Sequence, residues 1–129
     1  MRQVTIEELG LLVAEKREPM PVTAEDVLAW TPKSEWNWLP DKAQWQPVYD
    51  YATDDAAAMR LADEMCAGGA HLCLTWPYDA QTAKCFVLSV CRIGKETICA
   101  RANTSRPIVI CLAWWKWQTG EDLEVCDEN

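Results

Sequence analysis

Residues 53–76 read TDDAAAMRLADEMCAGGAHLCLTW, and this stretch decides the fold class. Its first half has helical spacing: Ala58, Leu61, Ala62 and Met65 recur on one face, with Arg60, Asp63 and Glu64 on the other. Thr53 is the expected cap, and Asp54 and Asp55 put negative charge in the first turn, where the helix dipole favours it. Gly68-Gly69 ends the helix, and residues 70–76 then read as a strand. A capped helix handed over within two residues to a strand predicts a domain that mixes the two.

Two more strands are expected downstream, over 84–91 and 96–101. The connections are short, so adjacent antiparallel pairing is the default. The middle strand is apolar on both faces, Phe86, Leu88 and Val90 on one and Cys85, Val87 and Cys91 on the other, which calls for cover on both sides. A last helix is expected from Pro107 to Gln118, after Thr104 or Ser105 and before Gly120. Ile108, Cys111, Leu112 and Trp115 make one stripe, and Ile110, Trp114 and Trp117 a second. A helix apolar most of the way round is buried on more than one side or joins two copies of the chain, here through Trp114 and Trp117. The expected class is α+β, a central antiparallel sheet of three or more strands with helices on both faces.

Upstream, Thr5-Ile6-Glu7-Glu8 is a capping box opening a helix from Ile6 to Lys16, with Ile6, Leu9 and Val13 on one face. Thr23 opens a short second helix, Ala24 to Trp30, ended by Pro32. Residues 33–52 are irregular. Trp36 and Trp38 alternate as on a strand, Pro40-Asp41 suits a turn, and Trp45 returns, so a hairpin or an ordered loop is expected.

The chain has 129 residues, half of them hydrophobic, enough for one core. A single domain over 1–122 followed by an acidic tail over 123–129 is expected. The net charge is −8, but Glu121, Asp122, Glu124, Asp127 and Glu128 follow the last base, Lys116, leaving 15 acids against 12 bases before them. Direct nucleic-acid binding by phosphate neutralisation needs the opposite sign. No apolar run approaches the ~20 residues of a membrane span. MRQVTIEELG has acids where a signal peptide is apolar, so the expected location is the cytoplasm. In that compartment the seven cysteines are expected reduced, most of them as small core residues.

Candidate chemistry is sparse. Cys66, His71 and Cys73 lie close in sequence, but a zinc site wants four ligands, so no metal site is expected. With Trp76 opposite Lys84 and Cys91 opposite Thr97, the row across the sheet would be His71, Ser89 and Cys99. Cys99 would then lie about 9–10 Å from His71, too far for a nucleophile and its base. No phosphate-binding or nucleophile-elbow glycine motif occurs, and neither a cofactor nor catalysis is expected. Eight tryptophans are the outstanding feature. Trp36, Trp38 and Trp45, with Tyr49, sit among polar residues, where aromatics are either core anchors or a binding surface. They are the candidate binding residues.

The segment DYATDDAAAMRLADEM, then HLCLTW, then RPIVICLAWWKW, resembles the phage ABA sandwich domain family, small accessory proteins of phages and prophages. The resemblance covers roughly residues 47–118, and more weakly VAEK at 13–16. It implies an α-β-α layering and offers no catalytic motif to transfer. The stretch from Arg17 to Gln46 is longer than the family implies. The expected function is a non-catalytic protein that binds and inhibits a host protein of an anti-phage defence system, as anti-CRISPR proteins do, with the acidic tail steering toward a basic partner. The alternative is a sponge for a nucleotide signal, with a tryptophan stacking the base and Arg92, Arg101 and Arg106 near the phosphates.

Overall fold

The computed structural model describes residues 2–20, 35–75, 85–92, 95–97, 101–103 and 105–126, and for the strands between 71 and 103 it describes the backbone alone. The described residues form three helices and eight strands, a mixed helix-and-strand protein of the α+β kind. The helix expected over 24–30 lies outside them.

The last helix, α3 (Arg106–Thr119), is the spine of the core. Nine consecutive residues, Pro107–Trp115, are buried, which only a helix with neighbours on all sides can sustain. Helices α1 (Ile6–Arg17) and α2 (Asp55–Ala67) pack on it. Leu9 and Val13 from α1, Leu61 and Met65 from α2, and Ile110 and Trp114 from α3 are all fully buried. Each such side chain contributes about 1.5–3 kcal/mol. Trp114 is therefore buried inside a single chain and is not available to join two copies; Trp117 is half-buried.

The helix ends follow local chemistry. Thr5 accepts from the Glu8 N–H at 3.0 Å while Glu8 accepts from the Thr5 N–H at 3.1 Å, so the capping box forms as expected. The α2 cap is Asp54 rather than Thr53: its carboxylate accepts from the N–H groups of Ala56 and Ala57, a stronger satisfaction of the first turn than a hydroxyl gives. Glu64 is half-buried rather than on a wet face, because Trp114 and Arg17 reach it. At the other end of α2, a Cβ on Gly68 would meet Trp117 Cζ2 at 2.9 Å. Gly68→Ala is expected to cost about 1–2 kcal/mol through this overpacking. Chemical denaturation of a double-mutant cycle checks it: the penalty should vanish when Trp117 is already alanine.

The aromatic segment is a hairpin. Strands β2 (Trp36–Leu39) and β3 (Gln44–Pro47) pair antiparallel, with Trp38 opposite Trp45 and a turn over 40–43. Glu18 and the start of the hairpin are joined by two hydrogen bonds. The Glu35 N–H donates to the Glu18 carboxylate at 3.1 Å, and Trp36 Nε1 donates to the Glu18 carbonyl at 2.7 Å.

In the second half, β5 (Cys85–Arg92) pairs antiparallel with β4 (His71–Thr75), with β6 (Lys95–Thr97) and with β7 (Arg101–Asn103). Of the strand expected over 96–101, the described residues show Lys95–Thr97, with Thr97 opposite Val90, and Arg101–Asn103, with Arg101 opposite Val87; 98–100 lie outside the described residues. The register expected from sequence is also corrected. His71 stands opposite Cys91, and Cys91 opposite Glu96; Cys99 is not among the described residues. Thr75 stands opposite Phe86, one residue away from what a Trp76–Lys84 pair implies, and the ladder shifts by one more between Cys73 and Leu74.

The expected tail is corrected as well. Leu123–Val125 is a strand, β8, paired parallel with β1 (Arg2–Val4), and Leu123 is buried. The alternation Leu123-Glu124-Val125 is a half-buried strand pattern that the surrounding acids mask. Glu121 accepts from Trp115 Nε1 at 2.9 Å and pairs with Arg2, and Asp122 pairs with Lys116 at 2.9 Å, so two of the five acids are tied to the body.

Candidate functional site

The sequence-expected binding residues divide. Trp36 is core, only 1% exposed, with its indole N–H given to the chain at Glu18. Trp38 and Trp45 are half-buried on the hairpin, their rings edge-to-face with centroids 5.2 Å apart. Tyr49 is also half-buried, with the Arg60 guanidinium 4.0 Å from its ring centre. The structure brings Trp38, Trp45 and Tyr49 to one side of the molecule only in part: Trp45 and Tyr49 pack against the core cluster, while Trp38 leans on Trp45.

Beside the hairpin lies an open groove of about 460 Å³. Gly10 and Leu11 of α1 form one wall, and Gln46 and Pro47 of β3 with Tyr49 form the other. Glu7 and Asp50 contribute two carboxylates, and among the described residues no base lines it. Leu11 is 43% exposed and also borders a second groove, beside Leu12, Glu8 and Glu15. Leu11 is a site residue that sequence reasoning missed. The signal was present: it falls off the Ile6, Leu9, Val13 stripe, so an apolar side chain stands on the wet side of α1.

A polar cleft of about 260 Å³ lies between α1, α2 and α3. Arg17 holds Glu35 through Nε at 3.0 Å and also pairs with Glu64. The Tyr51 hydroxyl donates to the second Glu35 oxygen at 2.6 Å, and Trp114 Nε1 donates to Glu64 at 3.0 Å. All four carboxylate oxygens of this pair have a donor. Burial, reinforced by the Glu35 hydrogen bond, pushes the Tyr51 phenol far above its ordinary value, so it stays protonated and is a poor base. The Cys111 thiol, driven up by burial and then by Asp50, is inert for the same reason, and its Sγ donates to the Tyr51 carbonyl at 3.1 Å. The cleft reads as a structural clasp joining three helices to the hairpin.

Of the cysteines whose side chains are described, Cys111 is buried as expected, but Cys66 is exposed and Cys126 half-exposed. Arg106 of the nucleotide alternative is held bidentately by Asp55 at 2.9 and 3.0 Å; the side chains of Arg92 and Arg101 lie outside the described set. Among the residues whose side chains are described, no three His, Cys, Asp or Glu converge as metal ligands, and no described helix is long and apolar enough to cross a membrane. No protein-family model, curated protein or solved structure matches this chain.

Proposed function

We propose that this chain is a non-catalytic phage or prophage accessory protein of the ABA sandwich kind, with its sheet covered on both faces. It acts in the host cytoplasm by binding, and so inhibiting, a host protein of an anti-phage defence system. The observation that carries the reading is the acidic, largely apolar groove between α1 and β3, with Leu11 exposed in its lining, together with the half-buried Trp38–Trp45 pair on the hairpin that supplies Gln46 and Pro47 to it. An exposed leucine and two half-exposed tryptophans on ordered elements are the makings of an interface centre. Glu7 and Asp50, with no base among the described lining residues, suit a partner segment with an apolar anchor and a basic flank. The nucleotide reading has less support, since Trp38 already packs edge-on against Trp45 and Arg106 is engaged by Asp55.

The test is binding to a protein co-purified from the host with the tagged chain. Trp38→Ala and Leu11→Glu are each expected to weaken that complex by about 2 kcal/mol or more, roughly thirtyfold, at an unchanged melting temperature. Wild-type affinity in both variants would remove the groove from the proposal. Failure to retain any host protein would remove the function.

A further inference from the structure

Three exposed residues of α1, Glu7, Leu11 and Glu15, follow at intervals of four and so form a single ridge along the helix. A groove runs along each flank of that ridge. The first is the groove against β3, with Glu7 and Asp50 in its lining. The second, of about 330 Å³, lies between α1 and β1, where Val4, Leu11 and Leu12 give it an apolar lining edged by Glu8 and Glu15. Leu11 lines both. Four carboxylates therefore surround one exposed leucine. Among the described residues the one base in either lining is Arg2, and it is ion-paired with Glu121 at 3.3 Å. Lys16, the next base along α1, lines the clasp cleft instead.

We propose that this face of α1 docks a basic amphipathic helix of the protein partner, its apolar residues straddling Leu11 and its lysines or arginines beside Glu7 and Asp50 on one flank and Glu8 and Glu15 on the other. This partner element deepens the binding function proposed above, on which it rests, by extending the contact across α1 into the second groove. An extended segment would fill one groove only, because the ridge stands between the two. A helix is about 10–12 Å across with its side chains, wide enough to cover both. Its surface has grooves of its own between rows of side chains, and a row four apart on one helix seats in such a groove on another at an axis separation of about 8–10 Å. The ridge from Glu7 to Glu15 rises about 12 Å, so a partner of about three turns spans it. Charge selects the occupant. A second copy of this chain would set these carboxylates against themselves, and a nucleic acid or an anionic membrane would bring more negative charge. A cationic helix meets complementary charge on both flanks and an apolar tooth between them.

The probe is a synthetic peptide of about 18 residues, long enough to hold a helix in water, with leucines at helical spacing flanked by arginines. Its control carries the same charge and a central proline, which breaks the helix. Titrated into the full chain by calorimetry, the helical peptide should bind saturably, and more weakly as salt rises. Glu7→Lys and Glu15→Lys should each weaken binding roughly tenfold, and Leu11→Glu more, at an unchanged melting temperature. The proline control should bind about tenfold more weakly than the helical peptide, or worse. Lack of saturable binding by the helical peptide would overturn the proposal, as would equal binding of the proline control or indifference to Glu15→Lys. Glu15 lines the second groove and not the first, so it separates the helix from the broader binding function. A host complex lost with Leu11→Glu but untouched by Glu15→Lys leaves that function standing and removes the helix across α1.

Discussion

A chain ending at Asp122 is expected to lose most of its stability, although the seven residues removed look like a solvated tail. Truncation deletes Leu123, which is buried, and a truncation of that size in a core alone costs about 2–5 kcal/mol. It also strips β1 of its only described partner strand, with the Cys126 N–H to Val4 carbonyl bond at 2.8 Å. Val4, itself buried, is then uncovered. Domains of this size hold about 5–15 kcal/mol in total, so the combined loss is a large share. Urea denaturation of the full and truncated chains measures it. The single substitution Leu123→Ala should reproduce the 2–5 kcal/mol part, while Glu124→Ala, on the exposed side of the same strand, should be neutral within about 0.5 kcal/mol. A truncated chain as stable as the full one would mean that β8 is ornamental.

Trp114→Ala should be the most damaging single substitution of the last helix. It removes a fully buried indole from the centre of the core, at about 3–5 kcal/mol. It also withdraws the Nε1 donor from Glu64, a half-buried carboxylate that Arg17 and Gln118 would be left to satisfy. Trp114→Phe separates the two effects, since the ring volume is largely kept and the donor lost. Its expected cost is about 1–3 kcal/mol. Sedimentation should show the same mass for wild type and Trp114→Phe, because the side chain is buried within one chain. A folded Trp114→Ala of unchanged stability would contradict the core described here.

What the sequence revealed was whatever local physics determines. The Thr5 capping box, the Ala58, Leu61, Ala62, Met65 stripe, the Trp38–Trp45 hairpin and the all-round apolar last helix are each written within a dozen residues. What it hid depends on partners far along the chain. The β1–β8 pairing joins residues more than a hundred positions apart, and nothing in RQV or LEV alone announces it. The choice of Asp54 over Thr53 as cap turns on which backbone the following turn presents. The Arg17, Glu35, Glu64 and Tyr51 clasp draws one residue from each of four segments and has no periodicity to betray it. Register is the least legible part: a one-residue offset at Thr75 and one irregular step between Cys73 and Leu74 together put Cys91 rather than Ser89 opposite His71.

The closure at Glu18 and Glu35 has a consequence for how such a protein can change over generations. Two hydrogen bonds join Glu18 to Glu35 and Trp36, and Arg17 adds an ion pair to Glu35. The entropy of closing a chain between fixed ends rises only as the logarithm of its length, by about 0.6 kcal/mol for each doubling. A change in the number of residues between Glu18 and Glu35 is therefore expected to alter the closure entropy little for as long as both fasteners hold.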